Sequence, residues 1–148
     1  MEFRNIVPSD FPQWSELISE LWELNLDEQN EEFTGLINNP RQIGIGCFTD
    51  KLVGVVHVSI RYEYVNGTES SPVGYIEGIV VTKNQRNNGI ASLLLTEAEK
   101  YAKSKNCLEM GSDLDISNET SLKFHEKNGY IEKERVICLS KKISGGTL

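Results

Sequence analysis

Long apolar runs are missing from this chain. No stretch approaches the roughly 20 residues that a bilayer-spanning helix needs, and mean hydropathy is −0.35. Cysteine is scarce and unpatterned: Cys47, Cys107 and Cys138 are isolated, an odd number without metal-ligand spacing. They read as reduced core thiols of a cytoplasmic protein, so neither a disulfide framework nor a bound metal is expected. Positive charge is short as well, with 15 Lys and Arg against 22 Asp and Glu, a net charge of −7 and a pI near 4.9. Such a surface repels phosphate backbones, which argues against nucleic acid, and it accommodates a cationic small molecule or peptide. Repeats and low-complexity stretches are absent, and Met1-Glu2-Phe3-Arg4-Asn5 carries no basic-then-apolar leader. What remains is average globular composition, 39% apolar and 25% charged over 148 residues. That is one domain, able to bury about two-thirds of its unfolded surface.

Residues 1–143 read as that domain, and Ser144-Gly145-Gly146-Thr147-Leu148 as a flexible tail. Glu2 to Val7 has strand character and stops at Pro8; Ser9 or Asp10 then caps a helix carrying Phe11, Trp14, Leu17, Ile18, Leu21 and Trp22 at helical spacing. An acidic helix follows from about Asp27 to Asn39. Ile43 to Phe48 and Leu52 to Tyr62 form a hairpin, with His57, Ser59 and Arg61 on its polar face. Val73 to Val81 is nearly all apolar, the pattern of a strand covered on both sides. A polar loop, a helix from about Gly89, a short strand Leu108 to Gly111, a helix Ser117 to Asn128 and a last strand Tyr130 to Leu139 complete the order. The class is α/β with a mixed sheet.

The junction after Val81 is the most informative segment. A buried strand runs into Thr82-Lys83-Asn84-Gln85-Arg86-Asn87-Asn88, and a helix opens at Gly89-Ile90-Ala91. The first amides of a helix have no internal partner and sit at the positive end of its dipole, so this is an anion site of diphosphate type, with Arg86 as a fixed cation. An ordinary strand–helix turn fits the same residues. A nucleotide P-loop or dinucleotide fingerprint does not, because only one glycine is present.

Arg86-x-x-Gly89-x-Ala91 after a Val-rich strand resembles the acetyl-CoA loop of the GNAT superfamily of N-acetyltransferases. Asn118, Ser121 and Phe124-His125-Glu126-Lys127-Asn128-Gly129-Tyr130 are similar to that family's second signature. Leu21-Trp22, Ser59-Ile60-Arg61, Tyr64-Val65-Asn66-Gly67, Ser70-Ser71-Pro72-Val73, Glu77-Gly78-Ile79, Glu109-Met110 with Ser112-Asp113, and Glu134-Arg135-Val136-Ile137 resemble its aminoglycoside 6′-N-acetyltransferases, a likeness covering residues 1–143.

The resemblance implies a mixed central sheet splayed at a bulge, helices on both faces, acetyl-CoA as cosubstrate and a homodimer. Gly78 inside the apolar run fits a bulge on physical grounds too. By similarity, the backbones of Ile79, Val80 and Val81 border the pantetheine arm, and the Ile79 amide also bonds the thioester carbonyl. Arg86, Asn87, Asn88, Gly89, Ile90, Ala91 and Ser92 cradle the diphosphate, and Asn118 bonds the cofactor's amide arm. Two departures stand out. Arg86-Asn87-Asn88-Gly89 lacks a glycine that relatives often carry, a place where asparagine tolerates the left-handed conformation. His125 stands where many relatives have a Tyr that protonates the departing thiolate; it either donates that proton or fills the helix face.

Glu77 is the candidate for chemistry. A carboxylate within Tyr75-Ile76-Glu77-Gly78-Ile79-Val80-Val81 is costly unless it meets a wet cleft or a partner, for which Arg61 is available. At a cleft it attracts an ammonium and accepts its proton, directly or through water, so that the amine attacks the thioester without a cysteine nucleophile. The resemblance adds Trp22, Tyr64, Asp113 and Glu134 as walls for a polycationic drug. Each has a plainer reading: core for Trp22, a turn cap for Asp113, solvent for Glu134 and packing for Tyr64. His57 reads as exposed or hydrogen-bonded rather than catalytic, Cys107 and Cys138 as core, and the acidic run Asp27 to Glu32 as a solvated face that borders the drug cleft if the resemblance holds. The expected activity is acetylation of the 6′-amine of aminoglycosides, conferring resistance. A polyamine or protein amine acetyltransferase is the alternative, and a non-catalytic acyl-CoA sensor a further one.

Overall fold

The period-two patterning between Gln42 and Val81 becomes three consecutive antiparallel strands, the frame of the molecule. In the computed structural model, which describes residues 1–145, β1 (Glu2–Asn5), β2 (Gln42–Phe48), β3 (Leu52–Arg61) and β4 (Val73–Val81) pair antiparallel in that order. β5 (Met110–Gly111) joins β4 in parallel, so the sheet is mixed, as expected. α1 (Phe11–Ser19) and α2 (Leu26–Asn38) cover one face; α3 (Ile90–Ser104) and α4 (Glu119–Lys127) lie on the other.

Alternation along each strand feeds two cores. Val55 and Val80 meet Trp14, Leu17, Ile18, Phe33 and Leu36 on the α1–α2 side. Val56, Val58 and Val81 meet Ile90, Leu94, Leu95 and Ala98 on the α3 side. Each large apolar side chain so enclosed contributes about 1.5–3 kcal/mol. Gly74 lets α3 approach β4, since a Cβ there would lie 2.5 Å from that of Ala102. α2 begins with a reciprocal cap: Asn25 Oδ1 accepts from the Glu28 amide at 2.8 Å, and Glu28 accepts from the Asn25 amide at 3.0 Å.

The beginning and end of the chain depart from expectation. β1 stops at Asn5, and Asp10 does not cap α1 with its side chain. Its carboxylate accepts from Arg4 at 2.8 and 3.0 Å and from the Val7 amide, and the Arg4 bond holds it below the ordinary carboxylate range. The expected strand over Tyr130 to Leu139 is not formed, and every described residue beyond Tyr130 is exposed. Val136, Ile137, Leu139 and Ile143 lie in solvent, and Cys138 is exposed rather than core. A strand needs a neighbour for its backbone groups, and among the described residues no strand runs beside this segment. Of the expected tail, Ser144 and Gly145 form a turn, and residues 146–148 lie outside the described residues.

Candidate active site

β4 and β5 stay paired only at Gly74 with Met110 and Tyr75 with Gly111. From Ile76 to Val81, β4 has no strand on that edge among the described residues. On its other edge, His57 pairs with Gly78 and Val58 with Ile76, which leaves Glu77 as the extra residue of a β-bulge. The expected splay and bulge thus coincide, and Glu77, Gly78 and Ile79 are the least buried residues of an otherwise buried strand.

A cleft of about 860 Å³ lies before the bulge, bordered by Trp22, Glu28, Glu31, Glu32, His57 and Glu77 among others. Trp22 follows α1, its amide donating to the Ile18 carbonyl at 2.9 Å. Its indole reaches over Gly78, where a Cβ would come within 3.3 Å of the ring. Trp22 therefore belongs to the cleft wall and not to the core, and the acidic face of α2 borders the cleft.

Both readings of Glu77 are realised together. It lines the cleft, and its carboxylate accepts from Ser59 Oγ at 2.5 Å and from Arg61 Nη2 at 2.9 and 3.0 Å. The Arg61 guanidinium in turn lies 3.5 Å over the Tyr75 ring. Burial first, and then the neighbouring Asp113 carboxylate, push the Tyr75 phenol well above its ordinary value. Asp113 itself does not border the cleft. The turn cap assigned to it by the plainer reading belongs to Asp115, which accepts from the Ser117 amide at 2.9 Å. Tyr64 (76% exposed) and the exposed Glu134 do not border the cleft in the single chain.

The neutral network behind the cleft starts on α2. Gln42 Nε2 donates to the Gly35 carbonyl at 2.7 Å, and Gln42 Oε1 lies 2.7 Å from His57 Nε2. His57 is thus half-buried and hydrogen-bonded, and burial holds its imidazole below the ordinary 6.5 against the pull of Glu77 and Glu32.

Asn87 (φ 67°) and Gly89 (φ 78°) both adopt the left-handed conformation, so Asn87 does what the missing glycine would do. Gly89 is the N-cap of α3, and a Cβ there would meet nothing within 4 Å. Asn87, Asn88 and Gly89 are exposed, Ala91 and Ser92 half-buried, and Ile90 packs into the core, leaving only its backbone for a ligand. Arg86 Nε donates to the Val81 carbonyl at 3.2 Å, which ties the cation to the end of β4 and occupies one lone pair of an oxygen expected to border pantetheine. Free first-turn amides, an open approach and a tethered cation fit a diphosphate. Asn118 Oδ1 caps α4 through the Ser121 amide at 3.0 Å, which leaves its NH₂ for a ligand.

Of the two readings of His125, the contacts of the ring favour the one in which it fills the helix face. The ring is buried; Nδ1 lies 2.7 Å from the Ser121 carbonyl and Nε2 2.9 Å from Ser112 Oγ. A carbonyl only accepts, so Nδ1 carries the hydrogen and Nε2 accepts from Ser112. In that tautomer both ring nitrogens are engaged, and His125 fastens α4 to the segment after β5. The sequence reading had no signal for Gln42, since its contacts reach His57 on a neighbouring strand and Gly35 on α2.

An opened parallel edge, a bulged carboxylate and an anion-binding helix start define a CoA-dependent acyltransferase scaffold. Residues 2–130 match the family model of the Acetyltransferase (GNAT) family, and the chain belongs to that family. It is 36% identical over 143 residues to aminoglycoside N(6′)-acetyltransferase type 1 of Acinetobacter haemolyticus, a match spanning 94% of this chain and 99% of that protein. It is 37% identical over 144 residues to the protein of the same name from Acinetobacter baumannii, with 94% and 99% covered. The apo crystal structure of the A. haemolyticus aminoglycoside antibiotic 6′-N-acetyltransferase superposes with a TM-score of 0.92 at 34% identity, over 97% of this chain and 100% of that one. AAC(6′)-Iy, solved with the bisubstrate analogue CoA-S-monomethyl-acetylneamine, gives 0.90 at 30% identity, over 96% and 98%.

Proposed function

We propose that this chain transfers acetyl from acetyl-CoA to the 6′-amine of aminoglycoside antibiotics and thereby confers resistance. The observation that carries the reading is the meeting, at one bulge, of an open strand edge and an acidic, Trp-walled cleft. Relatives of matching length bear the name of that activity. Acetyl-CoA supplies the activated acyl group. The backbones of Ile79, Val80 and Val81 take up pantetheine, with the Ile79 amide directed at the thioester carbonyl. Arg86 and the loop from Asn87 to Ser92 hold the diphosphate, and the Asn118 NH₂ holds the amide arm. Glu77, with the α2 carboxylates around it, draws in and orients the ammonium groups of the drug, and Trp22 walls its rings. Asp113 adds negative charge near Tyr75, outside the cleft lining. The test is thiol release from acetyl-CoA with kanamycin, tobramycin and spermidine. Turnover of the two drugs well above that of spermidine is expected. The reverse ranking would make the protein a polyamine acetyltransferase, and CoA binding without any thiol release a sensor.

Residues 1–143 act as one domain, and the free, buried thiols of Cys47 and Cys107 fit the reducing cytoplasm. The protein is a homodimer, a reading supported by the apolar side chains left in solvent at Val136, Ile137, Leu139 and Ile143. Glu134, which belongs to that segment, would then lie near the interface. Sedimentation should give twice the 16.7 kDa of one chain. A 16.7 kDa species at micromolar concentration would overturn the dimer.

A further inference from the structure

We infer that His57 takes the proton from the substrate ammonium, while Glu77 holds that ammonium in place; this rests on the function proposed above. His57 lies on β3 opposite Gly78 and borders the same cleft as Glu77, one residue from the Ile79 backbone. Its tautomer is set from behind. Because Gln42 gives its N–H to the Gly35 carbonyl, its Oε1 faces His57 and can only accept, so Nε2 carries the hydrogen and Nδ1 a lone pair. Among the described residues nothing donates to Nδ1, and no buried side-chain nitrogen or oxygen is left unpaired, so Nδ1 keeps access to solvent on a residue that lines the cleft.

Glu77 is differently placed. Its carboxylate accepts from Ser59 and Arg61 at Oε2 and from Arg61 alone at Oε1, so the lone pair left on Oε1 can accept a hydrogen bond from the ammonium and hold it while Arg61 stays in place. His57 accepts a proton without breaking a bond. Burial favours its neutral form, the one that can accept a proton. The groups that border the cleft with it are carboxylates, Glu77 from β4 and Glu28, Glu31 and Glu32 from α2, and the Arg61 guanidinium is committed to Glu77. They stabilise the imidazolium once it forms.

The step balances. One ammonium proton passes to Nδ1, and the freed nitrogen lone pair forms the C–N bond to the acetyl carbon. The C–S bond breaks with its electrons on sulfur. The surplus proton on nitrogen goes to that thiolate, giving free CoA, and His57 releases its own proton to water in the open cleft.

His57→Gln keeps an N–H for Gln42 but has no basic atom. We expect kcat to fall by about 10²- to 10⁴-fold, with the heat of CoA binding unchanged. The acidic limb of kcat, expected below pH 6.5 in the parent because burial lowers this imidazole, should vanish. In His57→Ala, added imidazole should restore rate in proportion to its free base. His57→Gln within about threefold of the parent, or a slower variant that keeps the acidic limb with no imidazole rescue of His57→Ala, would overturn the role of His57 alone. A parent protein that releases no thiol with any aminoglycoside would sink both the role and the function beneath it.

Discussion

Glu77→Gln is expected to lower kcat/KM for a 6′-amino drug by about 10²- to 10³-fold while CoA affinity stays near that of the parent. The factor corresponds to about 3–4 kcal/mol, and two effects supply it. The first is loss of the charge that meets the ammonium, where a charge-assisted hydrogen bond contributes about 1.5–3 kcal/mol. The second is release of Arg61, whose guanidinium is now neutralised by Glu77 at 2.9 Å and would become a free cation beside the cleft. The guanidinium keeps its place over Tyr75, so it would repel the drug from a fixed position. KM should therefore rise as kcat falls, the signature of a group that binds and orients. Glu31→Gln makes the comparison, because Glu31 is an exposed cleft carboxylate with no such partner among the described residues. It should change kcat/KM only a few-fold, and less at high salt. A Glu77→Gln enzyme with the parent's kcat/KM would remove Glu77 from the site.

What the sequence could disclose follows from how far each interaction reaches along the chain. The β2–β3 hairpin, β4 and α3 repeat their apolar residues at fixed local periods, and the structure places them within one or two residues of expectation. Gly78 announced the bulge, because an apolar run rarely carries glycine without a backbone reason. Tyr130 to Leu139 was misleading for the same local reason. The segment has strand composition, but pairing is decided by what lies beside it, and among the described residues no strand does. His125 fits the family signature by position, yet its chemistry is set by Ser112, 13 residues away, and by the carbonyl of Ser121. Glu77 stood out as a carboxylate in an apolar run; its bonds to Ser59 and Arg61 span 18 and 16 residues. The Gln42 bond that sets the His57 tautomer spans 15. Residue types thus pointed to the candidate site, and only the folded pairing shows which of its groups already have partners.

Gly89→Ala should weaken acetyl-CoA binding by about 10- to 100-fold while leaving kcat at saturating cofactor close to that of the parent. The backbone at Gly89 sits at φ 78°, where a side chain costs about 1–2 kcal/mol, so some thermal stability is lost as well. That loss has to be separated from an effect on the ligand, and the fold contains its own control. Gly129, after α4, has φ 89°, and a Cβ there likewise meets nothing within 4 Å. Gly129→Ala should thus lower the melting temperature by a similar few degrees. It lies at the C-terminal end of a helix, where carbonyls rather than amides are unpaired, so it has nothing to offer a diphosphate. If strain alone mattered, the two variants would bind acetyl-CoA alike. If the α3 start is the anion site, only Gly89→Ala loses affinity, since its methyl group stands where phosphate oxygens must approach the free amides. Equal affinities in calorimetry would mean that the cofactor's diphosphate is held elsewhere. A selective loss at Gly89 would tie the left-handed Asn87–Gly89 turn to the ligand, and through it the open edge of β4 to the thioester.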